Sequence, residues 1–551
     1  MLNGYNNHYE IYVSNIIHSI YRKLHLLIDF LPELIRCLGV VDVNIIEQNK
    51  EKINGVLSTF DRMIINGYIL PFHNPRLFLF YLIQNNIKLV DFDKFAEEQT
   101  SSLCSHIDNY IKENNTDLQY LKSGKDDKQA MSKEALKQSN GKIGLIAAYS
   151  AVELCKTMTV KGNHKTKKLE TVSRNTKCKH YYLYYNDEEF GFMFVKIQTW
   201  FPYNVQIYIN GREYLSKIFD KNNVKYEMFN NSFSYIDNFD KAQKLADNIL
   251  NQKLSDSFDG MIEKINNLLP NIKEKMNHSY YWCIDQCEFA TDINFKSRDD
   301  LSVFYKKLIE TSFFTFSSTD IYSFFGRNIS RIHNFTNGEI TSDLRNRYQG
   351  YRIKFKINNN QIKMYDKRNN LRIEVTINNP KDFKVMKERE IVVEHEKIEK
   401  KRVWLPMGKS VSNLYRYVEI SKSIIKRYIE ALPEIDTDTV PLKEIENISE
   451  RKEIDGKVFT GFNVLNKDTL NAFQVISNAK YLINGFTNKS IRNEIFGDES
   501  KKNICKTTRL LSKLRAHGII KKVAKKNKYY LTTDGRKILN SILIYTRKQL
   551  L

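Results

Sequence analysis

The chain has 551 residues, room for three or four domains of roughly 150 residues each. Its 42% hydrophobic and 27% charged residues are the balance of a folded protein and exclude general disorder. The net charge of +22 points to polyanionic partners, nucleic acid or an acidic membrane surface, but an AT-rich genome also overproduces Lys, so local clustering has to decide.

No apolar run reaches the roughly 20 residues of a membrane span. The N-terminus is polar after Met1, and Arg22 and Lys23 interrupt its first apolar segment, so it lacks a signal-peptide pattern. A soluble, cytoplasmic protein with no membrane partner is expected. The seven cysteines, at 37, 104, 155, 178, 283, 287 and 505, lack the paired spacing of structural zinc. Reduced, buried thiols are expected, including Cys283 and Cys287 near His278.

In chain order, residues 1–112 are expected to form a helical domain. Ile16, Ile17, Ile20, Leu24, Leu27, Ile28 and Leu31 recur at helical spacing, and a second such pattern runs from Ile45 to Ile65. Residues 113–142, poor in large apolar side chains and rich in charge, read as a linker or an exposed helix, with a domain boundary placed there. Residues 143–400 form a central mixed domain. Met193, Val195 and Ile197 alternate with Phe194, Lys196 and Gln198, and Val205, Ile207 and Ile209 continue the strand period. Helices are expected at 240–268 and 298–313. The segment YRIKFKINNNQIKMYDKRNNLRIEVTI at 351–377 predicts a three-stranded antiparallel meander. Its apolar face carries Ile353, Phe355, Ile362, Met364, Leu371, Ile373 and Val375, and its other face Arg352, Lys354, Lys356, Lys363, Tyr365, Lys367, Arg372 and Glu374. A helical connector, 401–467, leads to a last domain at 468–551. The class is α+β and multidomain: an N-terminal helical region, a central domain with an antiparallel sheet, and a C-terminal module.

That module reads as helices at 472–483, 488–496 and 503–517, two strands at 519–524 and 528–531, and a closing helix capped by Thr532 or Thr533. From residue 501 onward it holds 11 lysines and 4 arginines against one acid, Asp534. On the third helix Ile504, Leu510, Leu511 and Leu514 are assigned to the core and Lys506, Thr507, Arg509 and Lys513 to the outside. Lys525, Lys526 and Lys528 line the turn between the strands. With the stretch LLSKLRAHGIIKKVAKKNKYYLTTDGRKIL, the module resembles the winged-helix DNA-binding family over about eighty residues. The resemblance implies duplex DNA as partner, the third helix in the major groove and the wing lysines on phosphates. A protein-binding winged helix is the alternative.

The strings KMYDK and LRIEVTI resemble strand motifs of rolling-circle replication initiators of plasmids and filamentous phages. That resemblance spans about thirty residues and implies Tyr365 as nucleophile, Lys367 as a phosphate contact and Glu374 as ligand of magnesium or manganese. Glu288 and Asp292, four apart on one strand face of YYWCIDQCEFATDINF, are the candidates to complete an oxygen-rich site, with Glu339 and Asp343 behind them. The histidine pair of many such initiators is absent; the corresponding strand reads Lys196, Ile197, Gln198. The basic face, Arg352, Lys354 and Lys363 in particular, is expected to meet a phosphate backbone, against the ordinary alternative of a solvated sheet face. Trp200, Tyr203, Tyr208 and Arg212 suit unpaired bases and phosphate, although aromatic core packing commonly produces the same pattern.

Phosphate-loop, nucleophile-elbow, HExxH and dinucleotide motifs are absent from the sequence. The expectation is a DNA-binding protein of a mobile element, plasmid or phage-like system, a metal-dependent strand-nicking replication initiator or transposase-like nuclease. The alternatives are a non-catalytic winged-helix transcriptional regulator and an RNA-binding protein; single-stranded DNA is a further candidate partner, and the oligomeric state stays open.

Overall fold

The computed structural model describes residues 46, 49–122, 126–249, 253–314, 316, 318–327, 340–347, 350–393, 397–432, 447–454, 456–464, 466–497, 500–524 and 526–549. The expected helix from Ile16 to Leu31, Cys37, Glu339 and Lys525 lie outside the described residues. The chain is α+β and divides into two compact units, one from Lys52–Ile309 and Phe324–Lys426, the other from Met1–Glu51, Glu310–Ser323 and Arg427–Leu551. No helix among the described residues is long and apolar enough to cross a membrane.

The first unit is built on an 11-stranded sheet in the order β10-β11-β12-β13-β9-β1-β6-β5-β4-β3-β2. Its strands are β1 (Ile53–Tyr68), β2 (Leu118–Tyr120), β3 (Gly144–Asn163), β4 (Lys168–Asp187), β5 (Gly191–Gln198), β6 (Val205–Asn210), β9 (Tyr281–Phe295), β10 (Ile340–Arg347), β11 (Gly350–Ile357), β12 (Asn360–Lys367) and β13 (Asn370–Ile377). A separate hairpin, β7 (Tyr226–Met228) and β8 (Phe233–Ile236), lies between β6 and β9 in the chain. All pairings in the large sheet are antiparallel except that of β2 with β3.

The meander expected at 351–377 is β11-β12-β13, turning at Asn358 and Arg368, both with positive φ. Its apolar face is the one foreseen: Ile353, Phe355, Ile362, Met364, Leu371, Ile373 and Val375 are 0–1% exposed. Tyr305, from the helix Arg298–Phe314, donates its hydroxyl to the carbonyls of Tyr351 and Met364. The expected helix at 240–268 is two, Phe239–Asn248 and Leu254–Ile265.

The pattern from Ile45 to Ile65 is not a helix over most of its length but β1, at the centre of the sheet between β9 and β6. A bulge after Phe60 shifts the phase of the strand, so that Leu57, Phe60 and Ile64 mimic helical spacing. Residues 113–142 are not a linker but in part the exposed helix that their composition also allows. They hold β2 and the helix Lys128–Gln138, which sets Met131, Ala135 and Leu136 against Leu121, Ala147, Tyr149, Tyr182 and Tyr184. The helices Pro75–Gln84 and Phe92–Glu113 belong to the same unit as the sheet.

In the second unit the helices Lys467–Ile476, Ala479–Asn484, Asn488–Ile495 and Lys501–Ala516 precede a short hairpin, Ile520–Lys522 with Tyr529–Leu531, and the helix Thr533–Gln549. Residues 472–483, expected as one helix, thus belong to two. Phe473, Ile476, Phe486, Ile491, Leu511, Leu514, Ile519 and Leu539 share one core. The helix Lys501–Ala516 stops where Gly518 takes φ +72. Gly518 N–H then donates to Arg515 O and Ile519 N–H to Leu514 O, the paired closure that glycine permits at a helix end. Phe486 exchanges two backbone hydrogen bonds with Tyr529 and adds a third extended segment to the hairpin. Among the described residues of the expected connector at 401–467, Leu414 to Ala431 and a short piece before Glu450 are helical, and they are joined by the end of a hairpin strand, Lys397–Pro406, and a small hairpin, Lys452–Ile454 with Lys457–Phe459.

Candidate metal centre

Register places the polar side chains of four neighbouring strands on one face. Arg372 lies opposite Asp292, Glu374 opposite Ala290 and Thr376 opposite Glu288; Lys363 lies opposite Glu374, Tyr365 opposite Arg372 and Lys367 opposite Asn370. With a side-chain period of two, Glu288, Asp292, Lys363, Tyr365, Lys367, Arg372 and Glu374 all project to the same side. β1 joins them through its bulge. Phe60 pairs with Phe289 and Met63 with Cys287, so Asp61 and Arg62 together oppose Glu288. Bulges re-aim side chains in this way.

Asp61, Glu288 and Glu374, all buried, each offer a carboxylate oxygen within 4.8 Å of the others. Lys363 Nζ is 2.7 Å from Glu374 Oε1 and 3.5 Å from Glu288 Oε1. Arg62 Nε donates to Glu288 Oε2 at 2.8 Å. Arg372 is fully buried and donates to the Asp61 carboxylate, while its Nε lies 3.5 Å from Glu374 and 3.9 Å from Asp292. Arg212 Nη1 is 3.1 Å from Asp292 Oδ2. The turn between β7 and β8 closes this side: the Asn231 side-chain amide donates to Asp61, the Asn231 backbone carbonyl accepts from Arg372, and Ser232 Oγ donates to Asp292 at 3.1 Å. Gly211 holds the helix Gly211–Lys221 against the bulge, since a Cβ there would stand 2.5 Å from the Phe60 carbonyl oxygen.

The electrostatics of the two buried acids diverge. Burial acts to raise Asp61, but Arg372, then Arg212 and Arg62, outweigh it and hold the carboxyl well below its usual range. Burial and then the charge of Glu288 raise Glu374 against the opposing pull of Lys363 and Arg372. Lys367 is pushed down to about 8 by burial and by Arg372. Tyr365 is pushed up to about 12 by burial and by the Glu374 charge. The Lys367 ammonium lies 5.3 Å from the centroid of the Tyr365 ring. The centre reaches solvent beside Tyr365, which is half-buried, and Arg62, whose side chain is 46% exposed.

The three carboxylates form a hard oxygen donor set of the kind magnesium and manganese take. Asp292 Oδ1, Arg372 Nε and two nitrogens of Arg212, all buried, lack hydrogen-bond partners, so the ion pairs do not satisfy the cluster fully. A cation bound there would displace Lys363 from between Glu374 and Glu288.

Of the residues foreseen from sequence, Glu288, Glu374, Tyr365 and Lys367 do come together. Asp292 is turned to Arg212 and Ser232, and its place among the carboxylates is taken by Asp61. Asp343 stands apart, paired with Arg345 at 2.9 Å, Arg352 at 2.7 Å and Lys354 at 3.5 Å. That pairing, with Lys363 drawn into the carboxylate cluster, leaves the expected basic face largely neutralised. The aromatic segment is core: Tyr203 packs on Phe201 and Phe72, Tyr208 stacks on Phe194, Trp200 donates to Met158 O, and Arg212 is fully buried. Sequence reasoning missed Asp61, Arg62 and the roles of Arg212 and Arg372. The signal that could have found the first two was the charged pair inside the apolar run TFDRMII.

On the helix Lys501–Ala516 the assignments shift. Lys506 and Arg509 are exposed, but Thr507 is fully buried and bonds Asn503 O, Ile504 is exposed, and Lys513 turns back to Gly461 O and the Phe462 ring. At the hairpin Lys526 is exposed and Lys528 lies over Tyr530.

No protein family, no curated protein and no solved structure matches this chain.

Proposed function

We propose that the protein is a DNA-binding protein of a mobile element, plasmid or phage-like system, with a divalent-cation centre in its sheet that cleaves one DNA strand. The observation that carries this reading is the meeting of Asp61, Glu288 and Glu374 beside Tyr365 and Lys367. A bound magnesium or manganese ion supplies polarisation of a phosphoryl oxygen. Tyr365 attacks phosphorus: the tyrosyl O–P bond forms, the P–O bond to the neighbouring nucleotide breaks, and the departing oxygen takes a proton from solvent. The phenol proton goes to Lys367, whose lowered pKa leaves a neutral fraction near pH 8 to accept it. Arg62, at the mouth, neutralises the backbone. The test is incubation of the full chain with labelled single- and double-stranded DNA and Mg2+ or Mn2+, scoring strand breaks and a covalent adduct.

A second reading, a non-catalytic regulator, is favoured by the ion pairs themselves, since Asp61, Glu288 and Glu374 each have a basic partner and buried networks of this kind also serve structure alone. Absence of cleavage under both metals would select it.

Duplex binding by the C-terminal unit, the partner that the winged-helix resemblance implies, is supported by its exposed Lys501, Lys502, Lys506, Arg509, Lys522 and Lys526. Replacing Lys506, Arg509 and Lys526 together by Ala is expected to weaken binding to all duplex sequences and to flatten the log–log salt dependence by about 0.9 for each phosphate contact removed. Fluorescence anisotropy across a salt series reads both. An unchanged slope would place the DNA contact elsewhere.

A further inference from the structure

A second convergence of donors lies on β4 and β3, where β4 is three strands along the sheet from β1. Glu153 lies opposite Cys178, Cys155 opposite Thr176 and Ala151 opposite His180, so Cys155, Cys178 and His180 share a face. Cys155 Sγ and Cys178 Sγ are 3.0 Å apart, Cys178 Sγ is 4.0 Å from His180 Nδ1, and one donor atom from each residue lies within 4.8 Å of the others. The thiols are half-buried and the imidazole is buried. We propose that Cys155, Cys178 and His180 bind a zinc ion through two thiolates and one imidazole, with the fourth position left to solvent or an exogenous ligand.

The donor set is soft, unlike the all-oxygen set on β1, β9 and β13, and two thiolates with one imidazole suit zinc. Zinc–sulfur bonds of about 2.3 Å set two sulfurs about 3.8 Å apart in a tetrahedral site, less than an ångström from where they stand. A disulfide, at about 2.05 Å, is almost as near, so the sulfur pair alone does not choose. His180 chooses: a disulfide has no use for a third donor held within reach of both sulfurs. Placement agrees, since Cys155 faces Thr176 and reaches Cys178 only diagonally. Binding releases both thiol protons to solvent, and the two thiolates then cancel the charge of the ion, so no net charge enters the partly buried site. Around it the residues are already anchored. Glu153 accepts from Lys196 Nζ at 2.7 Å and from the Tyr182 hydroxyl, and Gln198, opposite His180, donates to the carbonyls of Lys156, Trp200 and Phe201.

The test is a Co2+ titration of the full chain, reduced and stripped of metal, read by thiolate-to-cobalt charge-transfer absorption and followed by displacement with Zn2+. The expected result is a band that saturates at one equivalent and is erased by zinc. Cys178→Ser should abolish the band, His180→Ala should weaken cobalt binding by about tenfold or more, and Cys505→Ser, at an exposed thiol, should leave it unchanged. The wild-type titration needs no variant to fold. No charge-transfer band in the reduced wild type overturns the proposal. So does unaltered affinity in folded His180→Ala, or a Cys155–Cys178 disulfide that re-forms in air with zinc present.

Discussion

Asp61→Asn is expected to destabilise the protein by about 3–5 kcal/mol at neutral pH, because it removes the counter-charge of a buried arginine while keeping the shape of the side chain. Arg372 is fully buried, and its other acidic neighbours stand farther off, at 3.5 Å for Glu374 and 3.9 Å for Asp292. The pH dependence has a definite sign. The folded-state pKa of Asp61 lies below its ordinary value of 3.8, so its contribution is present above that value and is lost as pH falls through the depressed one. The difference between wild type and variant should therefore be full at pH 7 and should shrink only in strong acid. Urea denaturation across a pH series measures it. A gap that is negligible at pH 7, or that closes already around pH 5, would contradict the pairing of Asp61 with Arg372. The same substitution takes one carboxylate from the three and should abolish metal-dependent cleavage in protein that remains folded.

Tyr365→Phe should separate chemistry from structure. The ring and its contact with Lys367 are kept, so stability is expected to stay within about 0.5 kcal/mol of wild type and DNA affinity should be unchanged. Covalent adduct formation should be lost, because the atom that bonds to phosphorus is gone. Cleavage that persists at the wild-type rate would remove Tyr365 as the nucleophile and leave water as the attacking group.

Where side chains alternate over short strands with one dry face, the sequence was easy to read. The stretch 351–377 is such a case, and its polar face already named Lys363, Tyr365, Lys367 and Glu374 as neighbours. Glu288 was legible because its spacing of four from Asp292 puts both on one strand face. Asp61 was not, because the bulge in β1 puts two consecutive residues opposite one partner, which no strict period of two foresees. Asp292 and Glu288 do share a face, but sequence spacing cannot show that Arg212, from the start of a distant helix, captures the former. The thiols of Cys155 and Cys178, 23 residues apart, come together only through the long β3–β4 hairpin, whose outer half lacks the apolar alternation that marks a strand. On the helix Lys501–Ala516, Leu511 and Leu514 are buried as their spacing implies, but Ile504 is exposed and Thr507 lines the buried side in its place, while Lys513 turns back to Gly461 O.

The central claim is that Asp61, Glu288 and Glu374 hold a divalent cation. Its most direct test is a crystal structure of the full chain grown with Mn2+, with anomalous differences measured at the manganese edge. The predicted result is one peak among the three carboxylates, with Lys363 Nζ moved out from between Glu374 and Glu288. Carboxylates still paired to Lys363, Arg62 and Arg372, with no anomalous peak at saturating Mn2+, would contradict it.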